Sequence, residues 1–250
     1  MVRIILSGCG GKMGRTVAAC AEGREDCRIA AGIDLRKPEG APFPVYGSPE
    51  EVQTEADVLI DFSNPALLAP LLAFGERTHT PLVLCTTGYS AEQAEALKRT
   101  SARIPVFYSG NMSLGISLLI ELSKKAAQAL GDRFDIEIVE EHHNQKIDAP
   151  SGTALMIADG ISSVLPRAME YVYDRHSRRK KREPNEIGIH SIRGGTIVGE
   201  HKVIFAGPHE VLTLSHSAQS KEIFALGALR AAAFLVRKAP GLYGMPDLIK

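Results

Sequence analysis

From Val2 to Tyr108, short apolar runs of β type alternate with stretches of helical periodicity, and this alternation restricts the possible folds more than any other property of the chain. Strands separated by helical crossovers cannot pair as hairpins; they line up as a parallel sheet with right-handed connections. Val2 to Leu6 is the first strand, and a glycine-rich turn follows it. Gly11 to Cys20 reads as a helix because Met13, Val17 and Cys20 recur at helical spacing. The second strand, Cys27 to Ile33, ends in Asp34, and another over Asp57 to Phe62 runs into Ser63-Asn64-Pro65, where proline opens a helix through Phe74. Pro81 to Thr87, Ser90 to Ala102 and Pro105 to Tyr108 continue the series as strand, helix and strand.

Beyond Asn111 the pattern changes. Ser113 to Gly131 predicts a long helix, Phe134 to His143 an alternating strand and Ser151 to Leu165 a further helix. The β runs from Glu186 to Ser217 are joined at Gly194-Gly195 and Gly207-Pro208, both read as turns between neighbouring antiparallel strands. A last helix spans Ser220 to Lys238 and is closed by Pro240-Gly241. The expected fold class is α/β: a parallel-sheet domain plus a smaller α+β domain with an open mixed sheet. The first is expected over residues 1–111, completed by 223–250, and the second over 112–222, with hinges near Asn111 and Lys221.

Charge sets the class of ligand. The 250 residues carry 29 basic and 29 acidic side chains, so the chain lacks the overall positive field that gathers nucleic acid or anionic membrane. No run reaches the roughly 18 apolar residues of a membrane span; the longest, around Leu226 to Val236, is interrupted by Arg230. The N-terminal segment lacks the pattern of a signal peptide. Cys9, Cys20, Cys27 and Cys85 form neither a CxxC pair nor a zinc-finger spacing, and read as reduced cytoplasmic thiols. The cluster Arg175, Arg178, Arg179, Lys180, Lys181 and Arg182 has no interleaved aromatic residues and is expected to be a solvated loop.

Two local segments carry chemistry. Gly8-Cys9-Gly10-Gly11-Lys12-Met13-Gly14 lies between the first strand and the first helix, where a dinucleotide pyrophosphate meets backbone N–H groups. Met13 occupies the place of the third glycine in G-x-G-x-x-G, while Gly8, Gly11 and Gly14 give G-x-x-G-x-x-G. Asp34 follows at about the 20-residue interval at which an acid meets the adenosine ribose. Its carboxylate would favour the 2′-hydroxyl of NADH, whereas Arg36 and Lys37 would favour the 2′-phosphate of NADPH.

The second segment is Glu140-Glu141-His142-His143-Asn144-Gln145-Lys146-Ile147-Asp148-Ala149-Pro150-Ser151-Gly152-Thr153. Strand parity puts Ile136, Ile138, Glu140 and His142 on one face and turns His143 the other way, a poor arrangement for a metal chelate; no metal is expected. Two imidazoles and an amine can instead supply protons during reduction of a C=C or C=N bond. Pro150 to Thr153 looks like a helix entry able to hold a substrate carboxylate.

Here the sequence resembles the dihydrodipicolinate reductase family, nicotinamide-dependent enzymes of diaminopimelate and lysine biosynthesis. The hallmark E-x-H-H-x-x-K-x-D-x-P-S-G-T is complete from Glu140 to Thr153. Shorter matches run along the chain: Gly8 to Gly14, Ile60 to Ser63, Thr86-Thr87-Gly88, Asn111-Met112-Ser113, Arg193-Gly194-Gly195, Gly199-Glu200-His201 and Gly241-Leu242-Tyr243. The resemblance implies a Rossmann-type first domain, a catalytic acid/base at His142 and a second proton donor at Lys146. It implies substrate binding at His143, Gly152 and Thr153. Cofactor contacts are implied at Gly8, Cys9, Gly10, Gly11, Lys12, Met13, Asp34, Cys85, Thr86, Thr87, Ser109, Gly110, Asn111 and Met112. Leu35 stands where some relatives carry an arginine for the 2′-phosphate, and Cys85 replaces a frequent glycine.

The implied reaction delivers hydride from NADH or NADPH to C4 of a cyclic unsaturated imine dicarboxylate, with a proton added at C3. The implied assembly is a homotetramer through the sheets of the second domain, with no nucleic-acid or membrane partner. A related amino-acid dehydrogenase and a non-catalytic NAD(P)-responsive regulator are rival readings; the complete set His142, His143, Lys146, Gly152 and Thr153 disfavours both.

Overall fold

A computed structural model describes residues 1–249. The chain folds into two compact units, residues 1–114 with the stretch from Lys221 onwards, and residues 115–220.

The first unit begins β1 (Val2–Ser7), α1 (Lys12–Ala21), β2 (Cys27–Ile33), β3 (Val45–Tyr46) and β4 (Val58–Asp61). It continues with α2 (Leu68–Thr78), β5 (Leu82–Leu84), α3 (Ala91–Ser101) and β6 (Pro105–Tyr108). Next along the chain come α4 (Leu114–Leu130), β7 (Asp135–His142), α5 (Gly152–Ser162), β8 (Glu170–Val172), β9 (Glu186–Arg193), β10 (Gly199–Ala206) and β11 (Val211–Ala218). The chain then returns to the first unit as α6 (Glu222–Leu235), β12 (Gly241–Tyr243) and α7 (Met245–Leu248).

The seven-stranded sheet has the order β12-β6-β5-β4-β1-β2-β3, and all its pairings are parallel. Alternation divides each strand between two buried faces. Ile4, Leu6, Val58, Ile60 and Phe107 pack with Ala225, Ala228 and Leu229 of α6, whereas Ile5, Leu59, Leu82 and Val106 pack with Leu71 of α2 and Leu97 of α3. Strand order reverses between β1 and β4, and open parallel sheets bind ligands beyond the carboxyl ends of the strands at such a point. The glycine loop follows β1 there. The short strands β3 and β12 had no clear signature, because two or three residues show no periodicity.

The second unit has a five-stranded mixed sheet, β11-β10-β7-β9-β8. Its buried face, including Ile136, Ile138, Ile189, Val203 and Phe205, packs against Ile116 and Leu119 of α4 and Ile157 and Ile161 of α5. Gly207-Pro208 joins the antiparallel neighbours β10 and β11, as the sequence suggests. Gly194-Gly195 does not form the expected hairpin. β9 runs parallel to β7, β10 runs antiparallel to β7, and β7 lies between them. The connection therefore passes the end of β7, where the Gly194 N–H donates to the His142 carbonyl (2.9 Å) and Gly195 takes φ +46°. The basic loop is also less solvated than expected: Arg175 pairs with buried Glu186, Arg182 with Glu137 and Asp135, and Arg178 with Glu170.

Candidate active site

In the first unit, the loop after β1 depends on two close approaches. Gly8 has φ +76°, and a Cβ there would meet the Phe62 carbonyl oxygen at 2.7 Å. A Cβ on Gly14 would collide with the Gly8 carbonyl, so the start of α1 can fold tightly onto the loop only with glycine at that position. Asp34, just past β2, reaches back: its carboxylate accepts from the Gly10 N–H (2.9 Å) and the Arg36 N–H (3.0 Å). A cavity of about 710 Å³ lies against this loop, lined among others by Cys9, Gly10, Asp34, Arg15, Arg36 and Lys37. Cys9 is buried, and burial followed by the nearby Asp34 charge pushes its thiol up to about 11, so it stays protonated and inert.

The ends of β4, β5 and β6 complete this rim. Buried Asp61 accepts from the Ser63 hydroxyl (2.5 Å) and from the Thr86 hydroxyl (2.7 Å), fastening two loop starts together. Thr87 and Gly110 are exposed, whereas Cys85, Thr86, Ser109 and Met112 are buried. The Ser109 hydroxyl donates to the Asn111 carbonyl (2.7 Å), and the Asn111 side chain accepts from the Ser113 N–H (2.8 Å). Gly227 of α6 lies against the Met112 carbonyl, which leaves no space for a Cβ. The residues therefore fit a dinucleotide: a tight glycine turn, a helix N-terminus, an acid after β2 and an adjoining cavity. Lys12 and Met13, in the first turn of α1, sit at the loop's exit, Lys12 exposed and Met13 half-buried.

In the second unit, β7 alternates as expected, with Ile136, Ile138, Glu140 and His142 buried in turn. Glu140 is fully buried and accepts four hydrogen bonds: His142 Nδ1 (2.5 Å), Arg193 through both terminal nitrogens (2.8 and 2.9 Å), and the Ser151 N–H (3.1 Å). Burial is the largest single influence on this carboxyl and would raise it, but Arg193, Ser191 and His142 together hold it down to about 2. It is therefore an anion at neutral pH and an acceptor for Nδ1–H, which directs the neutral imidazole's lone pair to Nε2. Burial lowers the His142 pKa more than Glu140 raises it, with Lys146 and Arg193 adding to the depression. A Cβ on Gly199 would come within 3.1 Å of Nε2, so glycine leaves that side of the ring open.

Lys146 is on the loop after β7 and pairs with both carboxylate oxygens of Asp148 (2.8 and 2.9 Å). His143 is half-buried, and its carbonyl accepts from the Lys146 N–H (3.1 Å). Ser151 caps α5, accepting from the Ala154 N–H (3.2 Å), so Gly152 and Thr153 form the helix's first turn as expected. His201 of β10 lies edge-on to His142 at 5.3 Å and 3.2 Å from the Ser151 hydroxyl, and burial first, then His142, lowers it to about 4. Among the described residues no three His, Cys, Asp or Glu side chains are grouped as metal ligands would be.

The structure thus gathers His142, His143, Lys146, Gly152 and Thr153 around one end of β7, and the glycine loop with the strand ends in the other unit. Sequence reasoning gave Glu140, Arg193 and His201 no role beyond their places in the family matches, and read Ser151 as part of the helix entry, which it caps. Shared strand parity was the available signal for Glu140, whereas Arg193 becomes His142's neighbour only through the parallel β7–β9 register.

A dinucleotide-type α/β unit joined to a mixed-sheet unit bearing a histidine, a lysine and a carboxylate-ready helix start defines an oxidoreductase of the nicotinamide-nucleotide class. The family model described as "Dihydrodipicolinate reductase, N-terminus" matches residues 2–112, and that described as "Dihydrodipicolinate reductase, C-terminus" matches residues 115–249. The chain belongs to the dihydrodipicolinate reductase family, the reductases of diaminopimelate and lysine biosynthesis. It is 54% identical to the 4-hydroxy-tetrahydrodipicolinate reductase of Caldanaerobacter subterraneus subsp. tengcongensis over 250 residues, covering 100% of this chain and 99% of that protein. The corresponding Clostridium tetani reductase is 49% identical, with 100% and 97% covered. Among solved structures, a dipicolinate-bound dihydrodipicolinate reductase from Paenisporosarcina sp. TG-14 superposes with a TM-score of 0.81 at 25% identity over 99% of each chain.

Proposed function

We propose that this reductase takes either NADH or NADPH and reduces the cyclic unsaturated imine dicarboxylate through His142 and Lys146. The observation that carries the assignment is the Glu140–His142 dyad at the end of β7, beside Lys146 and the start of α5. Glu140 fixes Nδ1–H, so Nε2 is the atom that exchanges a proton with substrate. Free of ligand, His142 is neutral at pH 7 because burial depresses it. A bound dianion favours the imidazolium, which then protonates C3. Lys146, held by Asp148 through two N–H groups, turns its third towards a substrate carboxylate or the charge developing on the ring nitrogen and serves as the second proton donor. The N–H groups of Gly152 and Thr153, with His143, hold the other carboxylate. The nicotinamide supplies the hydride for C4 when bound. The named structure of the Paenisporosarcina reductase is dipicolinate-bound, and a planar cyclic dicarboxylate suits this charge pattern.

The first unit takes the dinucleotide through Gly8, Cys9, Gly10, Gly11, Lys12, Met13 and Asp34, with Cys85, Thr86, Thr87, Ser109, Gly110, Asn111 and Met112 on the nicotinamide side. Each Asp34 oxygen accepts one backbone N–H and keeps a lone pair for a ribose hydroxyl, which supports NADH. Arg36, Lys37 and Arg15 line the same cavity and can meet a 2′-phosphate, which supports NADPH. The second unit binds substrate and assembles a homotetramer through the uncovered face of its sheet, where Val211 and Ile192 are 63% and 46% exposed. The protein works in the reducing cytoplasm, in keeping with its four unpaired cysteines.

The test is to follow oxidation of NADH and of NADPH with freshly made dihydrodipicolinate synthase product, for the wild type and for His142→Ala and Lys146→Ala. Turnover with both cofactors, and strong loss of kcat with intact NADH binding in each variant, is expected. Unchanged turnover in either variant removes that residue's role, and turnover with only one cofactor removes dual use.

A further inference from the structure

We infer that Arg193 is a positioning residue that fastens both proton-donating groups to one guanidinium. The inference rests on the roles proposed above for His142 and Lys146. Arg193 ends β9, and the parallel register sets it directly beside His142. All four of its terminal N–H groups are used. One nitrogen donates to Glu140 Oε2 (2.9 Å) and to the Ile192 carbonyl (2.8 Å); the other donates to Glu140 Oε1 (2.8 Å) and to the Asp148 carbonyl (2.6 Å).

Two arms leave this hub. Through Glu140 it reaches His142 Nδ1, fixing the tautomer and the ring. Through the Asp148 backbone it holds the carboxylate that grips the Lys146 ammonium. The loop from His143 to Pro150 has few other ties. Asn144 N–H donates to the Gly195 carbonyl (3.2 Å), and Lys146, at 22% side-chain exposure, has Asp148 as its ion-pair partner. Without the guanidinium, Asp148 and Lys146 would move independently of Glu140 and His142. A lysine at this position would keep the charge but offers three N–H groups at one point, too few and too concentrated for four acceptors on two strands and a loop.

The experiment uses the full-length protein and reads kcat, substrate KM, NADH Kd by fluorescence quenching, melting temperature and the pH dependence of kcat. Arg193→Lys should lower kcat about 10- to 100-fold, move the fall of kcat at rising pH and leave NADH Kd unchanged. Because Arg193 acts through the two donors, the same substitution placed in a His142→Ala, Lys146→Ala background should cost less than about twofold more. Asp148→Asn keeps the backbone carbonyl that Arg193 holds and weakens only the grip on Lys146. It should raise substrate KM or lower kcat while leaving the His142 pH limb in place, and it supplies the measurement should Arg193→Lys fold poorly. Wild-type kcat and pH profile in Arg193→Lys, a fully multiplicative loss in the donor-less background, or wild-type kinetics in Asp148→Asn would overturn the inference. If His142→Ala and Lys146→Ala themselves retain turnover, the underlying donor assignment fails, an outcome distinct from these.

Discussion

Replacing Glu140 with glutamine is the sharpest perturbation, because the new side chain has nearly the same shape and the wrong hydrogen-bonding capacity. The carboxylate accepts two donors on each oxygen: His142 and Arg193 on Oε2, and Arg193 and the Ser151 N–H on Oε1. A glutamine amide presents NH2 on one side, so in either orientation two donors face a donor. A charge-assisted hydrogen bond contributes about 1.5–3 kcal/mol. If that support is lost for the His142 imidazolium, kcat falls roughly 10- to 150-fold at about 1.4 kcal/mol per decade. Stability also falls, by about 3 kcal/mol, the lower end for a buried pair robbed of one partner, because the Arg193 side chain keeps 19% exposure. The assay is kcat at saturating substrate from nicotinamide absorbance, between pH 5 and 9, with NADH binding and melting temperature measured in parallel. The protonated imidazole is the donor, so kcat declines as pH rises through its pKa, and in Glu140→Gln this decline should begin at lower pH. A folded variant with kcat within about twofold of wild type and an unmoved decline would refute the dyad.

Three further outcomes follow from the same geometry. Glu140 is held from its ordinary 4.5 down to about 2, so its stabilisation is complete above 4.5 and disappears as pH falls towards 2. His201 is held from 6.5 down to about 4, so the unfolded chain takes up its proton first and stability falls as pH drops through that interval. His201→Gln should make the fall of the denaturation midpoint between pH 6.5 and 4 shallower, leaving the part due to His142 and His216 and the loss at lower pH, and an unchanged slope would remove the burial argument. Gly14→Ala sets a Cβ against the Gly8 carbonyl and 2.7 Å from the Cys9 Cα, and should raise the NADH Kd at least about tenfold as the loop is pushed out of place; titration by fluorescence measures it. Arg36→Glu with Lys37→Glu should raise KM for NADPH about tenfold or more and that for NADH much less, because the 2′-phosphate is the added charge that NADPH alone carries; equal effects on the two cofactors would contradict the cavity reading.

Much of the architecture was legible because it is written in local order. β2 is found over the same residues the apolar run marks, Cys27–Ile33, and Pro65 opens a helical turn before α2 as its fixed φ requires. The strand parity that sets Glu140 beside His142 is likewise a property of consecutive residues. The Gly194-Gly195 connection was misread because a glycine pair signals a change of direction without saying which strand lies next to which. Arg179, Lys180 and Lys181 are exposed on a loop as expected, but the ion pairs of Arg178 and Arg182 were not legible for a similar reason: their acidic partners Glu137, Glu170 and Asp135 are remote in sequence or on another strand.

By itself, the sequence determined a parallel α/β unit with a dinucleotide-type loop, a second unit with a different strand pattern, and the His142, Lys146 and Ser151 segment. Spacing along a chain constrains what neighbouring residues can do. Only the tertiary structure decided that Asp34 braces the Gly10 amide, that β7 separates β9 from β10, and that Arg193 serves Glu140 and Asp148 together. Those pairings depend on register and strand order, which burial of whole faces selects once the chain has collapsed, and no local spacing encodes them.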